Sequence, residues 1–177
     1  VPTLDYTLQI QADANDAAVA AFDAPLATLM TEGAALTVLA SGFLDTETNA
    51  GPAFGLWAST GAPGPLLELP SPEARIEIIH NSADAAAASV DVFVNGAEAV
   101  SDFDFRTTTG FITLPAGMPL AIDVAPADAG IGSSVGTIEI PFLGSGKTYI
   151  AIANGIVSMS GYAPSAMDAP FGLDIYD

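Results

Sequence analysis

From one end to the other, the chain runs in apolar segments of about five to eight residues, rich in Val, Ile, Leu, Phe and Thr and broken by clusters of Gly, Pro, Asn and Asp. This is the punctuation of short β-strands, and no window carries a helical period of useful length. In Val90-Asp91-Val92-Phe93-Val94, period two puts Val90, Val92 and Val94 on one face. Asn95-Gly96 follows, and both residues tolerate the positive φ of a type I′ hairpin turn, so Ala97 to Val100 is expected to fold back as the partner strand. Further strands are expected at Arg75 to Ile79, Gly110 to Leu114, Leu120 to Val124, Val135 to Ile140 and Thr148 to Ala153. Gly144-Ser145-Gly146-Lys147 reads as a hairpin turn, and the Ala-rich stretch from Asp84 to Ala88 has room for one helical turn. About seven short strands at this spacing predict a two-sheet β-sandwich.

Self-similarity sets the organisation. Leu8-Gln9-Ile10 matches Ile122-Asp123-Val124, Ala40-Ser41-Gly42-Phe43 matches Ala153-Asn154-Gly155-Ile156, and Phe54-Gly55-Leu56 matches Phe171-Gly172-Leu173. The matches keep their order, so residues 1–57 form a second version of the later strands of residues 74–177. Between them, Ala58 to Glu73 carries Pro63, Pro65, Pro70 and Pro72 and is expected to be an extended linker. The chain thus holds two back halves of a sandwich and one front half. A lone back half leaves an apolar face and bare strand edges. Either Val19 to Leu29 supplies extra strands that close it, or another chain or an upstream segment completes it.

The residues from Ala74-Arg75-Ile76-Glu77-Ile78-Ile79-His80-Asn81-Ser82 through Asp84-Ala85, the Val90 to Gly96 hairpin and Leu114-Pro115-Ala116-Gly117 together resemble the domain of unknown function 4397 family. That family is typified by a His-x-Ser-Pro-Asp-Ala-Pro strand end, a Val-Asp-Val-x-Val-Asn-Gly hairpin and a Leu-Pro-Ala-Gly turn. Here Ala83 stands where the family usually has Pro, and extra alanines precede Ser89. The resemblance implies an extracellular or periplasmic immunoglobulin-like module, often in tandem, with no established catalytic residues. The expected fold is therefore all-β: a tandem immunoglobulin-like β-sandwich, with one complete repeat preceded by a partial one.

Charge narrows the partners. Against 21 Asp and Glu stand only Arg75, Arg106 and Lys147, a formal net charge of −18, so no basic stripe exists for nucleic acid and an anionic membrane surface is disfavoured. Such an acid excess suits a salty medium, where screening relieves self-repulsion. There is no cysteine, hence no disulfide, thiolate nucleophile or zinc-thiolate site, and no apolar run is long enough for a membrane-spanning helix. The chain opens at Val1 without a charged-then-apolar leader, as a processed secreted chain does, and an extracellular or cell-surface location is expected.

Candidate chemistry is sparse. His80 is the only histidine; with Ser82 and Asp84 it offers the residue types of a relay, but no nucleophile elbow accompanies them, and fixing a turn is the simpler role. Calcium is the one cofactor considered, with Asp13, Asn15 and Asp16 in one turn and Asp123 with Asp128 around the matching turn as candidate oxygen ligands. Neither segment has the pattern of a dedicated calcium loop, and turn-forming side chains account for both. Asp102 and Asp104 alternate with Phe103 and Phe105 as on a half-exposed strand, and they form a carboxylate pair only nominally. Gly144-Ser145-Gly146-Lys147-Thr148 lacks the spacing of a phosphate loop. Trp57, Phe54, Leu66, Leu67 and Leu69 are candidate interface anchors, and Trp57, Phe54, Tyr162 and Tyr176 could alternatively present a platform for sugar rings. These features lead to a non-enzymatic structural subunit of an extracellular bacterial filament or surface assembly, self-associating into a homopolymer by strand or sandwich completion. The alternative is a cell-surface adhesion or carbohydrate-binding module with surface glycans as partners.

Overall fold

The computed structural model describes residues 2–28, 32–46, 48–158, 161–162 and 169–177. The protein is all-β, and it divides into two compact units, Val1–Pro72 and Glu73–Asp177. Among the described residues, no helix is long and apolar enough to cross a membrane.

The first unit contains β1 (Asp5–Gln11), β2 (Ala18–Pro25), β3 (Thr37–Ser41), β4 (Gly55–Ser59) and β5 (Leu67–Glu68). β1 and β2 form an antiparallel hairpin with Leu8 opposite Phe22, and β3-β4-β5 form a second antiparallel sheet. Phe22, Ala24, Leu56, Ala58 and Leu69 are buried together, with Tyr6, Leu8, Ile10 and Phe54 packed against them. This corrects the expectation of an extended linker at Ala58 to Glu73. Ala58 and Ser59 finish β4, Leu67–Glu68 pairs with it, Leu69 enters the core, and the Pro70 carbonyl accepts from the Asp23 amide. The four prolines shape the path of this segment without stopping it from packing, because few backbone donors are needed to hold so short an edge strand.

The second unit is a sandwich of two four-stranded sheets. Its strands are β6 (Glu73–His80), β7 (Ser89–Val94), β8 (Ala97–Asp104), β9 (Thr108–Pro115), β10 (Leu120–Pro126), β11 (Gly136–Ile140), β12 (Thr148–Asn154) and β13 (Gly172–Tyr176). One sheet has the order β11-β10-β7-β8 and the other β13-β12-β6-β9; β6 and β12 run parallel, and the remaining pairs are antiparallel. Period-two alternation sends Ala74, Ile76 and Ile78 of β6 inward against Val90, Val92 and Val94 of β7, with Leu120, Ile122, Val124, Ile140 and Ala151 completing the core. The expected type I′ turn is present, with φ of 49° at Asn95 and 85° at Gly96. A void of about 30 Å³ remains between the sheets, lined by apolar side chains and His80; it is too small for an organic ligand. The Gly144 to Lys147 turn is not the expected hairpin, because β11 and β12 belong to different sheets. Leu143 is buried and its carbonyl accepts from Gly117, so the chain is anchored before the turn and crosses to the opposite layer.

Corresponding pieces of the two units share local geometry. The hairpin β1-β2 corresponds to β10-β11, and the pair β3-β4 to β12-β13. Gly42 and Gly155 follow β3 and β12 with φ of 97° and 86°, and a Cβ on either would lie 2.1 Å from a carbonyl oxygen, that of Ala53 or Pro170. Directly after them, Phe43 bridges Ala53 and Ile156 bridges Pro170, both parallel. β2 therefore takes the place of β11, so Val19 to Leu29 adds no strand that closes the first unit; Leu29 itself lies outside the described residues.

Candidate functional site

His80, Ser82 and Asp84 are all buried in the second unit. β6 delivers His80 to the sandwich rim, where its ring lies 5.4 Å from that of Phe103 and 6.1 Å from that of Phe105. Its Nε2 donates to the Ala87 carbonyl at 2.7 Å and its Nδ1 accepts from the Ser82 amide at 3.3 Å. The Ser82 hydroxyl donates to the Gly155 carbonyl at 2.6 Å. Asp84 caps the 3-10 turn Ala85–Ala87. One of its carboxylate oxygens accepts from the Ala86 amide at 2.9 Å and the Tyr162 hydroxyl at 2.8 Å, and the other from the amides of Val157 at 2.8 Å and Ser158 at 2.5 Å. The Tyr162 oxygen in turn accepts from Ala85.

This is a latch, and its geometry is not that of a relay. The Ser82 hydroxyl points to a backbone carbonyl and the imidazole receives an amide, so neither contact is the hydroxyl-to-imidazole bond that nucleophilic catalysis needs. Ser82 and Asp84 fasten the β6-β7 loop to the loop after β12, while His80 braces the β6-β7 loop from within. Burial pushes the Asp84 carboxyl up, but the amides of Ser158 and Ala86, the Tyr162 hydroxyl and the Val157 amide outweigh it and hold the group below the usual 3.8. A depressed folded-state pKa stabilises the fold above the unfolded pKa and loses that contribution as pH falls through the folded value. The stability gap between the wild type and Asp84→Asn should therefore be constant from pH 7 to about 5 and narrow below about 4, as measured by urea unfolding across that range. A gap that stays open at pH 2.5 would count against the charged latch. In the first unit, Asp5 is likewise held low, chiefly by the Thr28 amide, with the Thr28 hydroxyl and Ala27 amide adding to it.

Of the calcium candidates, Asn15 bonds within a turn and Asp123 bonds across the β10-β11 pair. In the β1-β2 turn Asn15 accepts from the Ala17 amide, while Asp16, at φ 53°, donates its amide to the Ala12 carbonyl. Asp13 lies exposed beside them. In the second unit Asp123 accepts from the Thr137 and Ser134 hydroxyls. Among the described residues, no three of His, Asp and Glu gather closely enough to hold a metal ion. The residue that sequence reasoning missed is Asp91. Buried in the middle of β7, it accepts from the amides of Asp102 at 3.0 Å and Asp128 at 2.9 Å, two residues held at positive φ. Its signal was a carboxylate between valines in a strand whose other face carries the equally buried Phe93.

The aromatic and leucine candidates divide. Phe54 packs on Phe22 with ring centres 6.0 Å apart, and Leu69 is buried, so both belong to the first unit's own core. Leu66 and Leu67 are exposed, and Trp57 is half-buried opposite Leu39 and Glu68. Tyr162 spends its hydroxyl in the latch and is half-buried, whereas Tyr176 is exposed on β13.

In the first unit a group of exposed apolar side chains lies on β3 and in the segments next to β1 and β3. β3 is exposed at all five residues, and among the described residues it has β4 on one edge and no strand on the other; β1 has β2 alone. Leu4, Val38, Leu39, Phe43 and Leu44 are open to solvent. A groove of about 530 Å³ runs beside them, lined by Tyr6, Leu8, Ala24, Leu26, Leu36 and Val38 among others.

These features define a β-sandwich module whose signature residues lock two loops, accompanied by a unit with open strand edges. The chain belongs to the DUF4397 family, described as a domain of unknown function, whose profile matches residues 74–165 and so spans both sides of the latch. No curated protein matches the chain.

Proposed function

We propose that the protein is a non-enzymatic structural subunit of an extracellular bacterial filament or surface assembly, joined to its neighbours at the first unit by strand addition or sandwich completion. The observation that carries this reading is the exposed, uncharged β3, which has no strand on its outer edge among the described residues, with the groove beside it, because such an edge accepts a further strand through its main-chain hydrogen bonds. The homopolymeric form of the assembly arises when such edges of successive copies pair without closing into a ring. The acidic surface favours the same setting, since it keeps subunits apart until a specific edge contact outweighs their repulsion.

Light scattering on the purified chain at rising concentration and moderate salt tests this. Weight-average mass should grow with concentration, and Val38→Lys, which puts a charge on the open edge, should hold the chain at monomer mass. A monodisperse monomer at high concentration would overturn self-association. That outcome leaves the adhesion reading, for which the outer row Tyr176-Ile150-Glu77-Phe111 of the second unit offers an exposed aromatic face.

A further inference from the structure

Trp57 is the only tryptophan of the chain, and core packing does not call for it. It stands on the outward side of β4, whose inward side sends Leu56 and Ala58 into the first unit's core. The matching residue of β13 is Asp174, which follows Phe171-Gly172-Leu173 as Trp57 follows Phe54-Gly55-Leu56. Asp174 is exposed and accepts from the Asn154 side chain at 2.9 Å. An outward position that a small polar residue fills in one unit therefore carries an indole in the other.

The surroundings of Trp57 form a small site. Across the β3-β4-β5 sheet, Leu39, Trp57 and Glu68 make one row. The indole lies down along β4 over Gly55: a Cβ there would meet Trp57 Nε1 at 3.3 Å, Trp57 Cε2 at 3.7 Å and Glu68 Oε1 at 3.9 Å. The absent side chain leaves a spot where a donor nitrogen, an acceptor carboxylate and an aromatic ring come together. Leu39, 44% exposed, borders the ring on the flank opposite Glu68. At Gly172 a Cβ would meet nothing within 4 Å, so the second unit keeps the glycine without the site.

These groups select an occupant. A half-buried indole face receives the C–H side of a sugar ring, because its negative π-face attracts the weakly positive hydrogens there. The hydroxyls at the rim of such a ring both donate and accept, so an indole N–H beside a carboxylate satisfies them together, and the bond to the carboxylate is the stronger. Charge narrows the sugar further. The chain carries −18, and its three cations, Arg75, Arg106 and Lys147, all belong to the second unit, so Glu68 stands among acids alone and repels uronic or sulfated rings. We propose that the outward face of β4 and β5 is a binding site for neutral sugar rings, with Trp57 as the stacking platform and Glu68 and the indole nitrogen as the hydroxyl partners. The site goes beyond the assembly reading and does not rest on it: it occupies the face of the sheet, whereas assembly concerns the outer edge of β3.

Calorimetric titration of the intact chain with cellohexaose, maltohexaose and chitohexaose, and with a hyaluronan hexasaccharide as the anionic control, tests the assignment. At least one neutral oligosaccharide should bind with a Kd of about 0.1–1 mM, as suits a shallow site with one ring, and should shift the Trp57 emission. The anionic one should not bind. Trp57→Ala should abolish binding, and Glu68→Gln should weaken it about tenfold. Gly55→Ala leaves both side chains in place but fills the spot between them; it should weaken binding about tenfold while the urea transition seen by Trp57 is retained, which separates loss of the site from loss of the fold. Val38→Lys, which blocks the edge of β3, should bind sugar like the wild type, so the site and the assembly reading fail separately. Binding of none of the three neutral oligosaccharides, equal binding of hyaluronan, binding that survives Trp57→Ala, or loss of binding in Val38→Lys overturns the site. A Trp57-dependent response to tetralysine in place of the sugars would make the occupant a cationic segment and overturn the sugar assignment.

Discussion

Asp84→Asn is expected to cost the second unit roughly 3 kcal/mol of stability while leaving the first unit's unfolding unchanged. The substitution keeps the shape of the side chain but turns one acceptor oxygen into a donor. One oxygen serves Ala86 and Tyr162 and the other Val157 and Ser158, so whichever way the amide sits, two buried donors meet an NH₂ group. Each stranded donor costs on the order of 1–3 kcal/mol, and the loss of charge weakens the bonds that survive. Trp57 is the only tryptophan, so its fluorescence follows the first unit alone, and far-UV dichroism adds the second. Urea unfolding by both probes should show the dichroism transition move and the fluorescence transition stay. A loss below about 1 kcal/mol would mean that the latch is not what holds the two loops together.

Gly155→Ala should be comparably damaging, at about 3 kcal/mol or more. At φ 86° a side chain is already disfavoured by about 1–2 kcal/mol, and here the new methyl would sit 2.1 Å from the Pro170 carbonyl oxygen and 2.8 Å from that of Ala169, both backbone atoms with little freedom to retreat. Gly42→Ala meets the Ala53 carbonyl at the same distance and should shift the Trp57 transition instead. Gly110→Ala separates strain from clash, because at φ 65° its Cβ meets nothing within 4 Å. Its cost should be only the backbone share. Equal losses at positions 110 and 155 would show that the close carbonyl is not responsible.

The sequence made seven of the eight strands of the second unit legible, because Ile76, Ile78, Val90, Val92, Leu120 and Ile122 write the burial of one face as alternation, whereas β13, with no fully buried residue, was not expected. The pairing of Ala-Ser-Gly-Phe with Ala-Asn-Gly-Ile was visible too, although the reason for its glycine, a carbonyl pressed against the Cα, belongs to tertiary contact. Two features were hidden for definite reasons. The Gly144 to Lys147 turn has hairpin composition, but whether the next strand folds back or crosses to the other sheet is decided by the burial of Leu143. Ala58 to Glu73 has linker composition, and although its leucines suggested docking on a neighbouring surface, which of them packs is set by the fold: Leu69 enters the first unit's core while Leu66 and Leu67 stay exposed. The latch was half legible: the His80, Ser82 and Asp84 spacing stood out, while its receivers, the Gly155 carbonyl and the Val157 and Ser158 amides, carry no side-chain signature.

The parallel pairing of β6 with β12 also bears on how the second unit is made. Arg75 lies beside Thr148 in that ladder, so the first strand of the unit has no neighbour on one side until almost the whole sequence is present. Closing so long a loop precedes any reward from the contact, which places folding in the range of about milliseconds to seconds. During synthesis the early strands would have to wait, exposed, for the final hairpin to arrive, and any helper that shields nascent chains would find its target between β6 and β9.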